Sequence, residues 1–202
     1  MRFLKLVVIF AFVGSLSTAS LVALPGQAIA DSLSDAKSAY DSGNYSVAFR
    51  LLSPLAEQGD VEAQIKLGLM YAQGYGVPKN CDKALKWYRR AAEHDVIEQA
   101  TLGLLYEQGG DDCVPKNYGE AVQWYRRAAE HGYVMAQYNL GLMYEDGRGV
   151  PQDYVQAYMW LNLAASNNAG YAMLRDDLAK RMTSKQIAEG QKLSRNWKPK
   201  LP

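Results

Sequence analysis

Leu102-Gly103-Leu104-Leu105-Tyr106, followed eighteen residues later by Trp124-Tyr125-Arg126-Arg127-Ala128-Ala129-Glu130-His131, is the stretch that decides the fold. Both halves recur. The first returns as Leu67-Gly68-Leu69-Met70-Tyr71 and as Leu140-Gly141-Leu142-Met143-Tyr144. The second returns as Trp87-Tyr88-Arg89-Arg90-Ala91-Ala92-Glu93-His94 and decays to Trp160-Leu161-Asn162-Leu163-Ala164-Ala165. A Val-Pro step separates the halves each time, at Val77-Pro78, Val114-Pro115 and Val150-Pro151, and the tryptophans lie 37 and 36 residues apart. A period in this range marks a solenoid of stacked units, each burying its apolar face against the next. The second unit is one residue short before its Leu-Gly and two residues longer between its glycines and Val-Pro.

Each unit reads as two helices. In the first, Ala63, Leu67, Met70 and Tyr71 fall at helical spacing, as do Ala84, Trp87, Tyr88, Ala91 and Ala92. Gly74, Gly76 and Val77-Pro78 stop one helix before the next begins. The second helices open at Asn80, Asn117 and Asp153, which are good N-caps. Glu120 and Gln156, three residues after the last two, predict capping boxes; Lys83 breaks that pattern in the first unit. Gly68, Gly103 and Gly141 predict close approach of a facing helix, with Ala84, Ala121 and Ala157 in a similar role. Tryptophans and tyrosines then fill the inter-helix layers.

The pattern Ala-x-x-x-Leu-Gly-x-x-Tyr-x-x-Gly-x-Gly-Val-Pro, then Ala-x-x-Trp-Tyr-x-x-Ala-Ala, resembles the SEL-like repeat family, a relative of tetratricopeptide repeats. The resemblance implies an all-α, right-handed superhelical solenoid with repeats at 61–95, 96–132 and 133–170. Residues 31–60 resemble a degenerate preceding unit through Tyr40, Gly43, Tyr45, Ala48, Leu51 and Leu52, with Ser53-Pro54 expected to kink or restart its second helix. Residues 171–202 read as capping helices: Tyr171, Leu174, Leu178 and Met182 make one stripe. Thr183 with Gln186 opens a second helix carrying Ile187, Leu193 and Trp197. Ten helices are expected in all, with Lys198 to Pro202 frayed.

The first thirty residues read as an export signal. Arg2 and Lys5 precede an uncharged stretch from Leu6 to Ala30 that ends Ala28-Ile29-Ala30, a small-x-small cleavage site. The rival is an uncleaved membrane anchor, against which the polar interruptions Gly14, Ser15, Ser17, Thr18 and Ser20 weigh. Cleavage after Ala30 predicts a periplasmic or secreted protein with no stable membrane insertion. Of 22 Lys and Arg against 21 Asp and Glu, two cations leave with the signal, so the remaining chain is close to neutral. That argues against a nucleic-acid partner, which demands a basic surplus. An apolar content of 49% excludes a disordered chain.

Few residues point to chemistry. Cys81 opens the second helix of unit one and Cys113 lies in the enlarged loop of unit two, near the same edge of a stacked solenoid. In an oxidising space an inter-repeat disulfide is the preferred reading, with free thiols or a redox switch as alternatives. Exported relatives with cysteine pairs inside each repeat differ from this arrangement. His94 and His131 occupy matching positions one helix-packing distance apart, roughly 8–10 Å, too far to share a metal ion. Ser34-x-x-Lys37 matches part of a serine-nucleophile motif without its companion elements. Asn44-Tyr45-Ser46 fits a glycosylation sequon. Arg89-Arg90 and Arg126-Arg127 read as a solvated face making intrahelical ion pairs with Glu93 and Glu130. No catalytic residue, metal or cofactor is assigned.

The resemblance implies a partner-binding module rather than an enzyme, of adaptor, scaffold or regulator type. In tetratricopeptide-type solenoids the first helix of each unit lines the concave surface. Carried onto this chain, that face comprises Ile65, Leu69, Ala72 and Gln73; Ala100, Leu104, Glu107 and Gln108; and Tyr138, Leu142, Glu145 and Asp146. It predicts a groove for a protein or peptide with apolar anchors and a basic end. The plainer reading is that Ile65, Leu69, Leu104 and Leu142 pack against neighbouring first helices. A carbohydrate- or peptidoglycan-binding protein using exposed Trp and Tyr is the alternative function, and a hydrolase the third.

Overall fold

The computed structural model describes residues 25–110 and 112–201, so residues 1–24 of the expected signal lie outside the described residues. Among the described residues ten α-helices follow one another: α1 Pro25–Asp41, α2 Tyr45–Glu57, α3 Val61–Gln73, α4 Cys81–Ala92, α5 Val96–Gln108, α6 Tyr118–Glu130, α7 Val134–Asp146, α8 Tyr154–Asn167, α9 Ala172–Ala179 and α10 Ser184–Asn196. A 3-10 turn, Ala169–Tyr171, joins α8 to α9, and among the described residues there is no strand. Each helix from α1 to α8 packs on the next, and α10 returns onto α8. The result is an all-α solenoid of helical hairpins.

The ends of the helices follow from local chemistry. Asn80, Asn117 and Asp153 cap α4, α6 and α8, their side-chain oxygens accepting from Lys83 N, Glu120 N, and Val155 N with Gln156 N. The reciprocal bonds of the expected boxes at Glu120 and Gln156 are missing; at Asp153 the cap oxygen alone already satisfies two amides. Among the described residues the one complete box is Thr183 with Gln186 at α10. Nor does Ser53-Pro54 restart its helix, since α2 runs on to Glu57. Proline lacks only one amide there, and Ser53 Oγ donates to the Phe49 carbonyl at 2.7 Å.

The repeated glycines make room for side chains rather than for backbone. A Cβ on Gly103 would stand 2.7 Å from Tyr125 Cδ1, and one on Gly141 would stand 2.8 Å from Leu161 Cγ; on Gly68 it would collide with the Tyr88 ring. Tyr125 is thereby fully buried against α5, while Ala84, Ala121 and Ala157 close the same layer with no exposed surface. Trp124 and Trp160 are buried, and Trp197 of the cap meets Trp160 edge-on at 6.3 Å. The expected fraying of the tail is overturned: Lys200 N donates to the Glu130 carbonyl at 2.8 Å, and its ammonium reaches the Glu130 carboxylate at 2.5 Å. The end of α6 offers unpaired carbonyls and a negative dipole, both of which attract a lysine.

The missing residue in unit two changes the geometry. At the α2–α3 corner three amides turn back onto the preceding helix: Gln58 to Pro54, Gly59 to Ala56 and Asp60 to Leu55. At α6–α7 His131, Gly132 and Tyr133 do the same with Arg127, Ala129 and Ala128. Gly59 and Gly132 hold φ of 99° and 89°, conformations open to glycine and strained for other residues. The α4–α5 corner has His94 in place of that glycine, and α4 is one residue shorter than α2 and α6. Among the described residues it closes on a single long bond, Glu93 N to Arg90 O at 3.3 Å.

Helix α5 buries Gln99, Leu102 and Gly103 as α3 and α7 bury their counterparts, but the edges of its buried face differ. Aligned residue for residue with α3 and α7, its Glu98 stands where Ala63 and Ala136 are fully buried, and its Leu105 where Met70 and Met143 are fully buried. Both are only partly covered in α5. In exchange Ala100 and Tyr106 are buried, whereas their counterparts Ile65, Tyr138, Tyr71 and Tyr144 are half-buried. Glu98 and Leu105 lie seven residues apart on one side of the helix, so the change is a loss of cover along that edge of α5.

Candidate functional site

Beside this uncovered edge lies a pocket of about 280 Å³ between α3 and α5. From α3 come Ile65, Leu69 and Gln73; from α4, Tyr88; from α5, Glu98, Thr101, Leu102 and Leu105. Four of the eight are aliphatic, and Glu98 is the single ionisable carboxylate. Burial first, and then the charge of Asp95, raise the Glu98 pKa. The Asp95 carboxylate accepts the Glu98 backbone amide at 3.1 Å, capping α5.

The expected partner face is thus only partly assembled. Ile65, Leu69 and Gln73 line the pocket, and Leu104 and Gln108 are exposed outside it. Ala72 and Ala100 are buried in the core and offer a partner almost no surface. Tyr138 stacks on Tyr171 with ring centroids 4.6 Å apart, and Leu142 is half-buried. The expected acidic end is already occupied from within. Glu107 receives Arg148 Nη1 at 2.7 Å and the Tyr125 hydroxyl at 2.7 Å. Glu145 receives Arg181 at 2.5 Å, and Asp146 pairs with Arg148 Nε at 3.1 Å. Glu98, Thr101, Leu105 and Tyr88 escaped the sequence reading, although the deletion that exposes the first and third is visible in the repeat alignment.

The other candidates settle into structural roles. Cys81 and Cys113 form a disulfide with Cα atoms 4.6 Å apart, tying the start of α4 to the enlarged loop before α6; Lys79 pairs with Asp112 beside it at 2.8 Å. The arginine pairs do not bond along their own helix. Arg90 reaches back to the Glu57 carboxylate and carbonyl, both at 2.8 Å, and Arg89 and Arg126 donate forward to the Tyr106 and Tyr144 hydroxyls, both at 2.9 Å. Arg127 lies over the Trp124 ring at 4.6 Å. The bonds of Arg89, Arg90 and Arg126 fasten one hairpin to the next, while the Arg127 contact stays within α6. Lys37 pairs with Glu62 at 2.9 Å, and His131 Nδ1 lies 2.9 Å from the Lys200 carbonyl oxygen. No helix among the described residues is long and apolar enough to cross a membrane. Burial of Trp124 and Trp160 removes two of the aromatic platforms that glycan binding needs.

Stacked helical hairpins with an apolar slot between successive first helices define a helical-repeat scaffold. The Sel1 repeat model matches residues 39–60, 61–96, 99–133 and 134–168, and the chain belongs to the Sel1 repeat family. Proteins of this family are generally protein-interaction modules built on a non-catalytic scaffold. The crystal structure of a Sel1 repeat protein from Oxalobacter formigenes is 40% identical, with a TM-score of 0.51 over 62% of this chain and 95% of that one. Chitin synthase regulatory factor 3 of Schizosaccharomyces pombe is 38% identical over 120 residues, 58% of this chain. The sel1-like repeat-containing protein R815 of Acanthamoeba polyphaga mimivirus is 39% identical over 56 residues, 27% of this chain. The matches span only 13% and 10% of those two relatives.

Proposed function

We propose that this chain is a non-enzymatic adaptor or scaffold that is exported, loses its first thirty residues, and grips a protein segment on the faces of α3, α5 and α7. The observation that carries the reading is the apolar pocket open between α3 and α5 in a chain of this family. A binding face needs unsatisfied apolar surface held on rigid elements, and the solenoid supplies that at Ile65, Leu69 and Leu105. The name of the fission yeast relative, a regulatory factor, supports a role exerted on another protein. The N-terminal sequence and the Cys81–Cys113 bridge support an oxidising compartment outside the cytoplasm.

The test is a photo-reactive amino acid placed at Leu69 or Thr101, and at Lys86 on the outer face of α4 as control. Irradiation of intact cells is expected to yield one discrete adduct from the groove positions and none from the control. Identical labelling from all three positions, or from none, refutes the binding face. Mass spectrometry of the mature chain is expected to find Asp31 at its N-terminus.

A further inference from the structure

The pocket carries more information than its apolarity. Resting on the reading above, we infer that the α3–α5 slot takes a bulky apolar side chain of a protein segment that presents a lysine or arginine close by, the cation pairing with Glu98.

Three observations point to this occupant. Packing does not require a carboxylate at Glu98, since both aligned helices place a buried alanine there. Nor is the carboxylate used internally. Glu57, Glu62, Glu107, Glu130 and Glu145 each have a cation within 4 Å, whereas among the described residues none pairs with Glu98. Its charged neighbour on α5, Asp95, is another anion. A half-covered carboxylate beside a second acid is electrostatically incomplete, and an incoming cation relieves both desolvation and like-charge repulsion. The raised Glu98 pKa is the same imbalance seen from the proton's side.

Size narrows the class further. At about 280 Å³ the slot falls just below the range of pockets that enclose drug-sized ligands, roughly 300–1,000 Å³, and suits one anchoring side chain. Along α5 the lining runs from Glu98 to Leu105, about 10 Å of helix rise. An anchor seated towards Leu69 and Leu105 therefore leaves the cation about three residues away in an extended segment.

The experiment uses the purified protein and an array of labelled peptides. Each carries Leu, Phe or Ala at a central position and Lys, Arg, Gln or Glu at positions one to four residues on either side. The inference expects Leu or Phe with Lys or Arg to bind about tenfold more tightly than the Glu counterparts. In Glu98→Gln, and in Glu98→Ala, which copies the flanking repeats, the preference for cations should vanish while that for Leu or Phe over Ala persists. A charge preference unchanged in both variants overturns the inference, as does indifference to the apolar position. Dimerisation of the protein itself, abolished by Leu69→Arg, would assign the slot to a second copy and likewise overturn it. Photo-adducts in cells with no cation preference on the array would leave the binding face standing and remove only the assigned chemistry; loss of both would remove the function as well.

Discussion

Arg148 and Glu107 meet at 2.7 Å across 41 residues of sequence, the guanidinium from the loop after α7 and the carboxylate from α5. The second carboxylate oxygen takes the Tyr125 hydroxyl from α6. Three elements of two repeats thus converge on one acid that the sequence alone suggests as a partner contact. With exposures of 30% and 19% the pair is largely shielded, and a shielded acid is stabilising only while its partners remain. Glu107→Ala is expected to destabilise the fold by about 2 kcal/mol in urea unfolding. A double-mutant cycle with Arg148→Ala should show strong coupling. Additive effects would mean that the two groups act separately.

Tyr125 adds a pH dependence. Burial, followed by the bond to Glu107, holds its phenol well above the usual tyrosine range. Because the folded pKa is the raised one, the contribution is complete below the unfolded value near 10 and is lost as pH climbs through the folded value. Stability should therefore decline from about pH 10 upward, and Tyr125→Phe should soften that decline. An unchanged slope in the variant would assign the alkaline loss to other groups.

Glu98 predicts the opposite kind of mutant. Its raised pKa means that the fold favours the protonated form. The favourable contribution is present below the unfolded value near 4.3 and lost as pH rises through the folded one. Glu98→Gln is expected to melt above the parent protein at pH 7, with the gap closing towards pH 4. A lower melting temperature at pH 7 would show that Glu98 is held by contacts of its own.

The Cys81–Cys113 bridge closes a 32-residue separation between units one and two. A loop of that length contributes about 3–4 kcal/mol in the chain-entropy model. Reduction, or replacement of both cysteines by serine, should lower the melting temperature, and the serine variant should no longer respond to reductant. A parent protein indifferent to reductant would contradict the bridge.

Gly103 tests the packing of tyrosine on glycine. Gly103→Leu forces atoms into the space of the fully buried Tyr125 ring, at an expected loss of about 1–3 kcal/mol. Joining it to Tyr125→Ala should recover part of that loss.

How far the candidate site was legible differs between its two helices. Ile65, Leu69 and Gln73 on α3 follow from the register of a regular unit. On α5 the same register selects Ala100, which is buried, and passes over Glu98, Thr101 and Leu105. Register transfers from one repeat to the next only while the intervening corner is the same, and the corner before α5 is the exception. The acids failed for another reason. Glu107, Glu145 and Asp146 look free along the chain because Arg148 and Arg181 reach them from later loops and the cap.

What the sequence determined by itself was everything periodic: the hairpin unit, its caps, the glycine and alanine layer, and the solenoid that results when such units bury one another. Those features depend on spacing along the chain, and spacing is written there directly. Tertiary structure decided which cations neutralise which acids and which edge of α5 is left uncovered beside a corner that lacks the glycine of the others. Burial along a helix edge and contacts between distant loops exist only once the hairpins have stacked, since each depends on the position of a neighbour that the local sequence does not encode.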